Sequence, residues 1–337
     1  MSTLNTTYAG IELKNPLIVG ASNLVTSEEM LKKLEDAGAA AIIYKSLFEE
    51  QIQLESYELS EAMTEYYDRH AEMTSLFPDL EHAGPQEYLL KLQKAVKSVN
   101  IPVFASLNAV ADDTWVEWSR QLEATGVAGI ELNFYAVPRA FDVTAASIEA
   151  KQLSILKAVK AAVKIPVTVK LSPFYSNPLH LIAAMDKAGA DGFVLFNSLF
   201  QPDIDIEEEK HHFPYNLSTE NDNRLSLRFA GLLYGNVKAS VCSNTGIIQG
   251  ADLIKMLLAG ADSVQVVSAL YKYGPKQITQ MLKDLDDWME GRKYTKLSDF
   301  RGKLSRKNIK DPFIYKRAQY VDILMQSDNI FKKYPLL

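Results

Sequence analysis

Short apolar runs rich in β-branched residues recur along the chain, and stretches with apolar positions at helical spacing separate them. Eight such runs are legible: Pro16 to Ala21 (PLIVGA), Ala40 to Lys45 (AAIIYK), Pro102 to Leu107 (PVFASL), Gly129 to Phe134 (GIELNF), Pro166 to Leu171 (PVTVKL), Gly192 to Asn197 (GFVLFN), Val237 to Ser243 (VKASVCS) and Ser263 to Ser268 (SVQVVS). Between them, Ser27 to Ala37 carries Met30, Leu31 and Leu34 on one helical face, and Ala251 to Ala259 carries Leu253, Ile254, Leu257 and Leu258. Before the second, fourth, sixth and eighth runs stand DAGAAAI, ATGVAGI, KAGADGF and LAGADSV, each placing a glycine where a helix must stop and turn into a buried strand.

Strand and helix alternating in this way predict an α/β protein with a parallel sheet. A doubly wound open sheet competes, but no G-x-G-x-x-G follows the first strand, and eight strands with eight crossovers match a closed (β/α)8 TIM barrel, which typically takes about 250 residues. The predicted barrel occupies residues 1–290. Phe48 to Gly84, after the second strand, and Gln201 to Arg224, after the sixth, are insertions on the face where such barrels carry their active-site loops. The second insertion holds an acidic run, Asp203 to Glu209, read as a solvated face, and then His211 and His212, read as loop residues and not metal ligands. Residues 291–337 are basic and then amphipathic, and form a predicted helical extension packed on the barrel or on a partner subunit.

Composition narrows the function. A chain of 337 residues that is 47% hydrophobic and 23% charged buries a large core. Its net charge of −6, with scattered lysines and arginines, provides no field for nucleic acid. Cys242 is the single cysteine, so neither an internal disulfide nor a four-cysteine iron–sulfur site can form within one chain. The opening MSTLNTTYAGIEL lacks a basic segment leading into an apolar one, and no run of about 18 apolar residues occurs. A cytoplasmic protein that does not enter a membrane is expected.

On a barrel, the residues ending the strands converge on one pocket. Here they are Ser22, Lys45 with Ser46, Asn108, Asn133, Lys170, Asn197 with Ser198, Ser243 with Asn244, and Ser268. Two lysines, several amides and hydroxyls, and no carboxylate pair of the glycosidase type suit a planar ligand rich in carbonyl and ring-nitrogen acceptors with an anionic phosphate, such as flavin mononucleotide (FMN). A lysine at the N1 and O2 edge of the flavin would stabilise the charge that develops there on hydride transfer. Backbone N–H groups beside Gly246 and near Ser268 are the expected phosphate site. Each residue also has a plainer reading: Lys170 snorkelling from a strand end, Lys45 paired with Glu49 or Glu50, Asn133 satisfying backbone groups.

The runs NPLIVGAS, YKS at Tyr44 to Ser46, ELN at Glu131 to Asn133, PVTVKLSP at Pro166 to Pro173, FNS at Phe196 to Ser198 and SVQVVSAL at Ser263 to Leu270 together resemble the dihydroorotate dehydrogenase family, over roughly residues 5–290. The resemblance is closer to its cytosolic branch. It implies bound FMN held by Ala21, Ser22, Lys45, Ser46, Asn108, Asn133, Lys170, Phe196, Thr245, Gly246, Val267 and Ser268. It implies a small substrate held by Lys45, Asn133, Asn197 and Ser198, with oxidation of a CH–CH bond in pyrimidine biosynthesis. A homodimer and a separate electron-transfer subunit are further expectations.

The sequence also departs from the family pattern. Where the family's strand-four motif supplies a cysteine or serine base, this chain has Ala136, and a methyl group accepts no proton. Tyr135 beside it and His82, near the family's substrate-binding asparagine, are the candidates for that task. The family's Gly-Gly phosphate turn is Thr245-Gly246, and Val267 replaces a glycine, which crowds the phosphate site. These departures keep two other readings open: a catalytically silent ligand-binding barrel acting as sensor or partner subunit, and an aldolase-type barrel with Lys170 or Lys45 as Schiff-base amine.

Overall fold

The computed structural model describes residues 3–49, 85–109, 112–134, 141–198, 203–212 and 217–310, together with Tyr315 and Lys332. The chain enters through an antiparallel hairpin, β1 (Thr6–Tyr8) and β2 (Ile11–Leu13). Eight parallel strands follow and close on themselves: β3 (Leu17–Val19), β4 (Ala41–Ile43), β6 (Val103–Asn108), β7 (Gly129–Asn133), β8 (Val167–Leu171), β9 (Gly192–Leu195), β12 (Ser240–Ser243) and β13 (Ser263–Val266). Closure is made by β13 on β3, Val264 opposite Leu17, and by β4 on β6, Ile42 opposite Val103. A two-residue strand, β5 (Leu47–Phe48), prolongs the pairing along β6. The predicted (β/α)8 barrel is therefore the fold, and every predicted run contributes one barrel strand.

Helices α1 (Glu28–Asp36), α2 (Pro85–Ser98), α3 (Asp112–Ala124), α4 (Ala145–Ala162), α5 (Pro178–Lys187), α6 (Arg224–Leu233), α7 (Gly250–Ala259), α8 (Ser268–Tyr273) and α9 (Lys276–Gly291) alternate with the strands. The first shows the local logic. Ser27 caps it by accepting from the Met30 N–H, Glu28 and Glu29 sit in its positive first turn, and Leu31 and Leu34 are buried against the barrel. Gly38 ends it with φ +111°. The other three repeat glycines, Gly126, Gly189 and Gly260, share its positive φ.

Strand alternation divides the core in two. Leu17, Val19, Ile42, Ile130, Leu132, Val167, Val169, Phe193, Val241 and Val264 pack outward against the helices. Ile18, Ala41, Ile43, Phe104, Val194 and Cys242 pack inward, where Tyr8 of the entering hairpin closes the lower end of the barrel against Phe104. The hairpin is tied there by Ala9 N–H to Ser240 Oγ at 3.0 Å and Thr6 Oγ1 to the Asp262 carbonyl at 2.8 Å. Higher up, the inward positions turn polar: Ser106, Glu131, Thr168, Lys170 and Gln265 are all buried.

Several strands are shorter than the predicted runs, β4 ending at Ile43 and β13 at Val266 among them. The seventh strand starts at Ser240 and not Val237, because the Lys238 and Ala239 N–H groups both donate to Asp186 Oδ1 and so form a turn. The sixth ends at Leu195, and Phe196 to Ser198 lie beyond it. The acidic run is exposed as expected, but it folds as an antiparallel hairpin, β10 (Asp203–Asp205) with β11 (Lys210–His212), pairing Ile204 with His211. Residues 50–84 of the first insertion lie outside the described residues. Beyond α9, the Gly302, Leu304 and Arg306 N–H groups donate to the carbonyls of Leu257, Leu258 and Gly231, satisfying the open C-terminal ends of α7 and α6. Among the described residues no helix is long and apolar enough to cross a membrane, and no three His, Cys, Asp or Glu side chains gather as a metal site.

Candidate functional site

A cavity of about 510 Å³ opens at the C-terminal ends of the strands. Strand ends supply most of its wall, because the inward residue one step above each buried layer necessarily faces it. From β3 come Ala21 and Ser22; from β4, Lys45 and Ser46; from β6, β7 and β8, Asn108, Asn133 and Lys170. Asn197 and Ser198 follow β9, Thr245 and Gly246 follow β12, and Val267 and Ser268 follow β13. Of the described candidates, Phe196 and Ser243 are not in the wall: Ser243 is fully buried below it, and the Phe196 ring packs edge-on against Phe229, 5.1 Å between centroids, while its carbonyl accepts from Asn244 Nδ2 and Thr245 Oγ1. His82, Tyr135 and Ala136 lie outside the described residues.

Lys170 is nine-tenths buried or more, with its ammonium 3.5 Å from Glu131 Oε1 and donating to Gln265 Oε1 at 3.3 Å. Gln265 Nε2 in turn donates to Glu131 Oε2 at 2.6 Å. A snorkelling lysine would carry its charge to water, and this one is held inside the barrel. At an effective dielectric near 20 the Lys170–Glu131 attraction is about 5 kcal/mol, comparable to the several kcal/mol that burying each ion costs. The pair is therefore an arrangement of charge more than a source of stability. Lys45 differs: no ion pair joins it to a described carboxylate, Glu49 included, and its backbone carbonyl accepts from the Tyr88 hydroxyl at 2.6 Å.

Amides and hydroxyls complete the wall. Asn197 Nδ2 donates to Asn133 Oδ1 at 2.9 Å, which turns both amides toward one another from β7 and β9, on either side of β8. The Ser46 and Ser106 hydroxyls share a hydrogen bond of 2.7 Å. Ser22 Oγ is buried with no protein partner. A buried hydroxyl so left is costly unless something in the cavity satisfies it.

At the β12 and β13 side, Thr245 and Gly246 adopt consecutive positive φ values of 73° and 71°. The family-type turn is kept although a threonine stands in it, and the Thr245 hydroxyl bond to the Phe196 carbonyl, 2.8 Å, offsets part of the strain. Ser218 enters here: its hydroxyl accepts from the Gly246 N–H at 3.1 Å and shares a 2.9 Å bond with Ser268 Oγ, and its carbonyl accepts from Lys272 Nζ at 2.8 Å. An oxygen thus occupies the position between the two loops where an anionic oxygen was expected.

Sequence reasoning passed over Glu131, Gln265 and Ser218. The first two carry a legible signal, a polar residue at the inward position of an otherwise apolar strand. Ser218 carries none, since it reaches the cavity from an insertion without periodicity. Leu217, Asn23, Phe48 and Ile247 also line the wall and were not anticipated.

Fold and site together define a parallel βα barrel with a buried cationic centre and an amide-rich cavity at its C-terminal face. Residues 77–289 match the dihydroorotate dehydrogenase family, and the chain is a divergent member of that family. It is similar to "Dihydroorotate dehydrogenase B (NAD(+)), catalytic subunit" of Thermoplasma volcanium, 29% identical over 90% of this chain and 98% of the relative, and to the protein of the same name in Methanocaldococcus jannaschii, 28% identical over 80% and 88%. A shorter match, 30% identical over 51% of this chain and 58% of the relative, is to "Dihydroorotate dehydrogenase A (fumarate)" of Lactobacillus helveticus.

Proposed function

We propose that this protein is an FMN-dependent oxidoreductase that moves a hydride between FMN and a CH–CH bond of a small planar, amide-bearing substrate of the dihydroorotate and orotate type, in pyrimidine metabolism. The observation that carries the reading is the buried Lys170 ammonium at the floor of an amide-lined cavity. The residues present fit the cofactor. Ser22 Oγ lacks a partner that a carbonyl-rich ring would supply, and Lys170 and Asn108 line the same cavity with donors.

FMN when bound supplies hydride acceptance. Lys170 supports negative charge at the adjoining part of the cavity. Ala21, Ser22, Lys45, Ser46, Asn108, Asn133, Thr245, Gly246, Val267 and Ser268 hold the cofactor, and Lys45, Asn133, Asn197 and Ser198 hold the substrate. Lys45, which makes no ion pair with a carboxylate among the described residues, suits a substrate carboxylate. Oxidation of a CH–CH bond also releases a proton, which Ala136 cannot take, and His82 or Tyr135 takes it. Two relatives are named as catalytic subunits; an electron-transfer partner subunit and a homodimer are proposed here, in the cytoplasm. Residues 1–290 form the catalytic barrel, and 291–337 the extension on it or on the partner.

The test is spectroscopic. Purified or reconstituted protein is expected to be yellow with flavin absorbance, and anaerobic dihydroorotate is expected to bleach it. Colourless protein that takes up no FMN refutes the flavin reading. Flavin that is bound but unbleached over hours refutes dihydroorotate as the substrate.

A further inference from the structure

We propose that Glu131 is a positioning residue that sets how much positive charge Lys170 presents to the cavity, with Gln265 as the clamp that holds the two apart. The inference rests on the flavin reading above and assigns a determinant of the cofactor's electron affinity.

Three strands build the device. Glu131 and Lys170 stand on neighbours, β7 and β8, two residues out of step and so on the same inward face, since Asn133 pairs with Lys170 and Glu131 with Thr168. Gln265 reaches across the lumen from β13, three strands beyond β8 in the sheet order. Its amide is used at both ends: the nitrogen donates to Glu131 Oε2 at 2.6 Å and the oxygen accepts from Lys170 Nζ at 3.3 Å. That leaves Glu131 Oε1 fully buried with no hydrogen-bond partner, facing the ammonium at 3.5 Å, an ion-pair separation longer than a charge-assisted hydrogen bond.

Simple filling of the barrel does not call for this. In the same lumen, Val194, the register partner of Lys170, and Ile18, that of Gln265, are apolar and pack with Ile43 and Phe104. Replacing a buried ion pair by apolar side chains is often neutral or stabilising, so a charged layer needs a reason other than packing. A counter-ion meant only to neutralise Lys170 would take its protons directly. Here Lys170 spends one proton on Gln265, stands off the carboxylate, and lines the cavity with the rest of its donors free of Glu131. The carboxylate still acts through space, opposing part of the field that Lys170 offers to negative charge above it.

The experiment measures sulfite affinity and two-electron midpoint potential of the FMN-loaded protein, both of which report the electron affinity of the bound flavin and neither of which requires turnover. Glu131→Gln keeps the shape and removes the opposing charge; sulfite is expected to bind about tenfold more tightly, equivalent to a rise of about 30 mV for a two-electron couple. Gln265→Met removes the clamp and lets Lys170 close onto Glu131; sulfite affinity is expected to fall several-fold, with the potential falling too. A merely structural layer would lower stability in both variants without shifting affinity in opposite directions. Loaded variants that stay within twofold of the wild type, or that shift the same way, overturn the proposal. If Glu131→Gln does not fold, the direction of the Gln265→Met shift decides alone. A wild-type protein that binds no FMN refutes the parent reading and this role with it, an outcome distinct from unshifted variants that carry flavin.

Discussion

Gly246→Ala tests whether the turn after β12 is the hinge on which the cavity wall depends. A Cβ placed there meets the Asn223 backbone nitrogen at 2.5 Å, the Thr219 carbonyl oxygen at 2.6 Å and the Asp222 carbonyl carbon at 2.9 Å. These are backbone atoms of the turn leading into α6, so no rotamer change relieves them. The residue also has φ +71°, a conformation costing an alanine roughly 1–2 kcal/mol, and overpacking typically adds about 1–3 kcal/mol. Moving the 219–223 turn strains the bond from Asn223 Nδ2 to the Gly246 carbonyl at 3.1 Å and that from Gly246 N–H to Ser218 Oγ, each worth about 1 kcal/mol. The expected destabilisation is about 3–6 kcal/mol, a large share of the roughly 5–15 kcal/mol that holds a typical domain folded. Urea unfolding should show a lower midpoint at unchanged m value, and a fluorescence titration should show FMN affinity reduced tenfold or more, since Ser218 moves with the turn. A variant within about 0.5 kcal/mol of wild type, the ordinary range for an inconsequential surface change, would refute the packing argument.

Other outcomes follow from the core. Burial pushes the Asp262 carboxyl above its ordinary value, against the opposing pull of Arg301 and the Val241 N–H. The folded chain therefore holds that proton more strongly than the unfolded chain, and this contribution to stability is full below the unfolded value and is lost as pH rises through the folded one. Denaturation at a series of pH values should show wild type losing stability relative to Asp262→Asn across that window; a relative gain would reverse the assignment. Burial likewise raises the Cys242 thiol, so a thiol reagent should label it only as the protein unfolds, and rapid labelling of native protein would contradict its place inside the barrel. Gly129→Ala drives a methyl into the Phe104 ring and to 3.0 Å from the Pro166 carbonyl oxygen, with an expected loss of about 1–3 kcal/mol in urea unfolding; no loss would mean that the floor of the barrel is looser than described.

Each of these tests probes a contact between segments distant in sequence, and that marks how far reading the chain alone can go. The barrel was legible because both periodicities that produce it are local. Apolar runs such as Pro166 to Leu171 have the length and composition of strands, helices such as Glu28–Asp36 carry their own caps, and glycines such as Gly38 and Gly260 end helices wherever the chain must turn back. Strand-end residues such as Asn108, Asn133 and Lys170 were legible for the same reason, since barrel geometry sends them to one face. The start of β12 was misplaced because Asp186, more than fifty residues away, claims the N–H groups of Lys238 and Ala239.

By itself, then, the sequence determined the fold class, the family and most of the described candidate residues, all of which follow from short-range pattern and from motifs in register. Only the tertiary structure decided what those residues do to one another. Glu131, Lys170 and Gln265 become a charge device because barrel closure brings the β13 wall across from β7 and β8, and Ser218 becomes a lining residue because an aperiodic insertion folds back over the β12 and β13 ends. Phe196 leaves the wall because Phe229 offers its ring a buried neighbour. Contacts of this kind depend on side chains from separate strands meeting in one lumen, and that meeting is a property of the closed barrel that no local periodicity encodes.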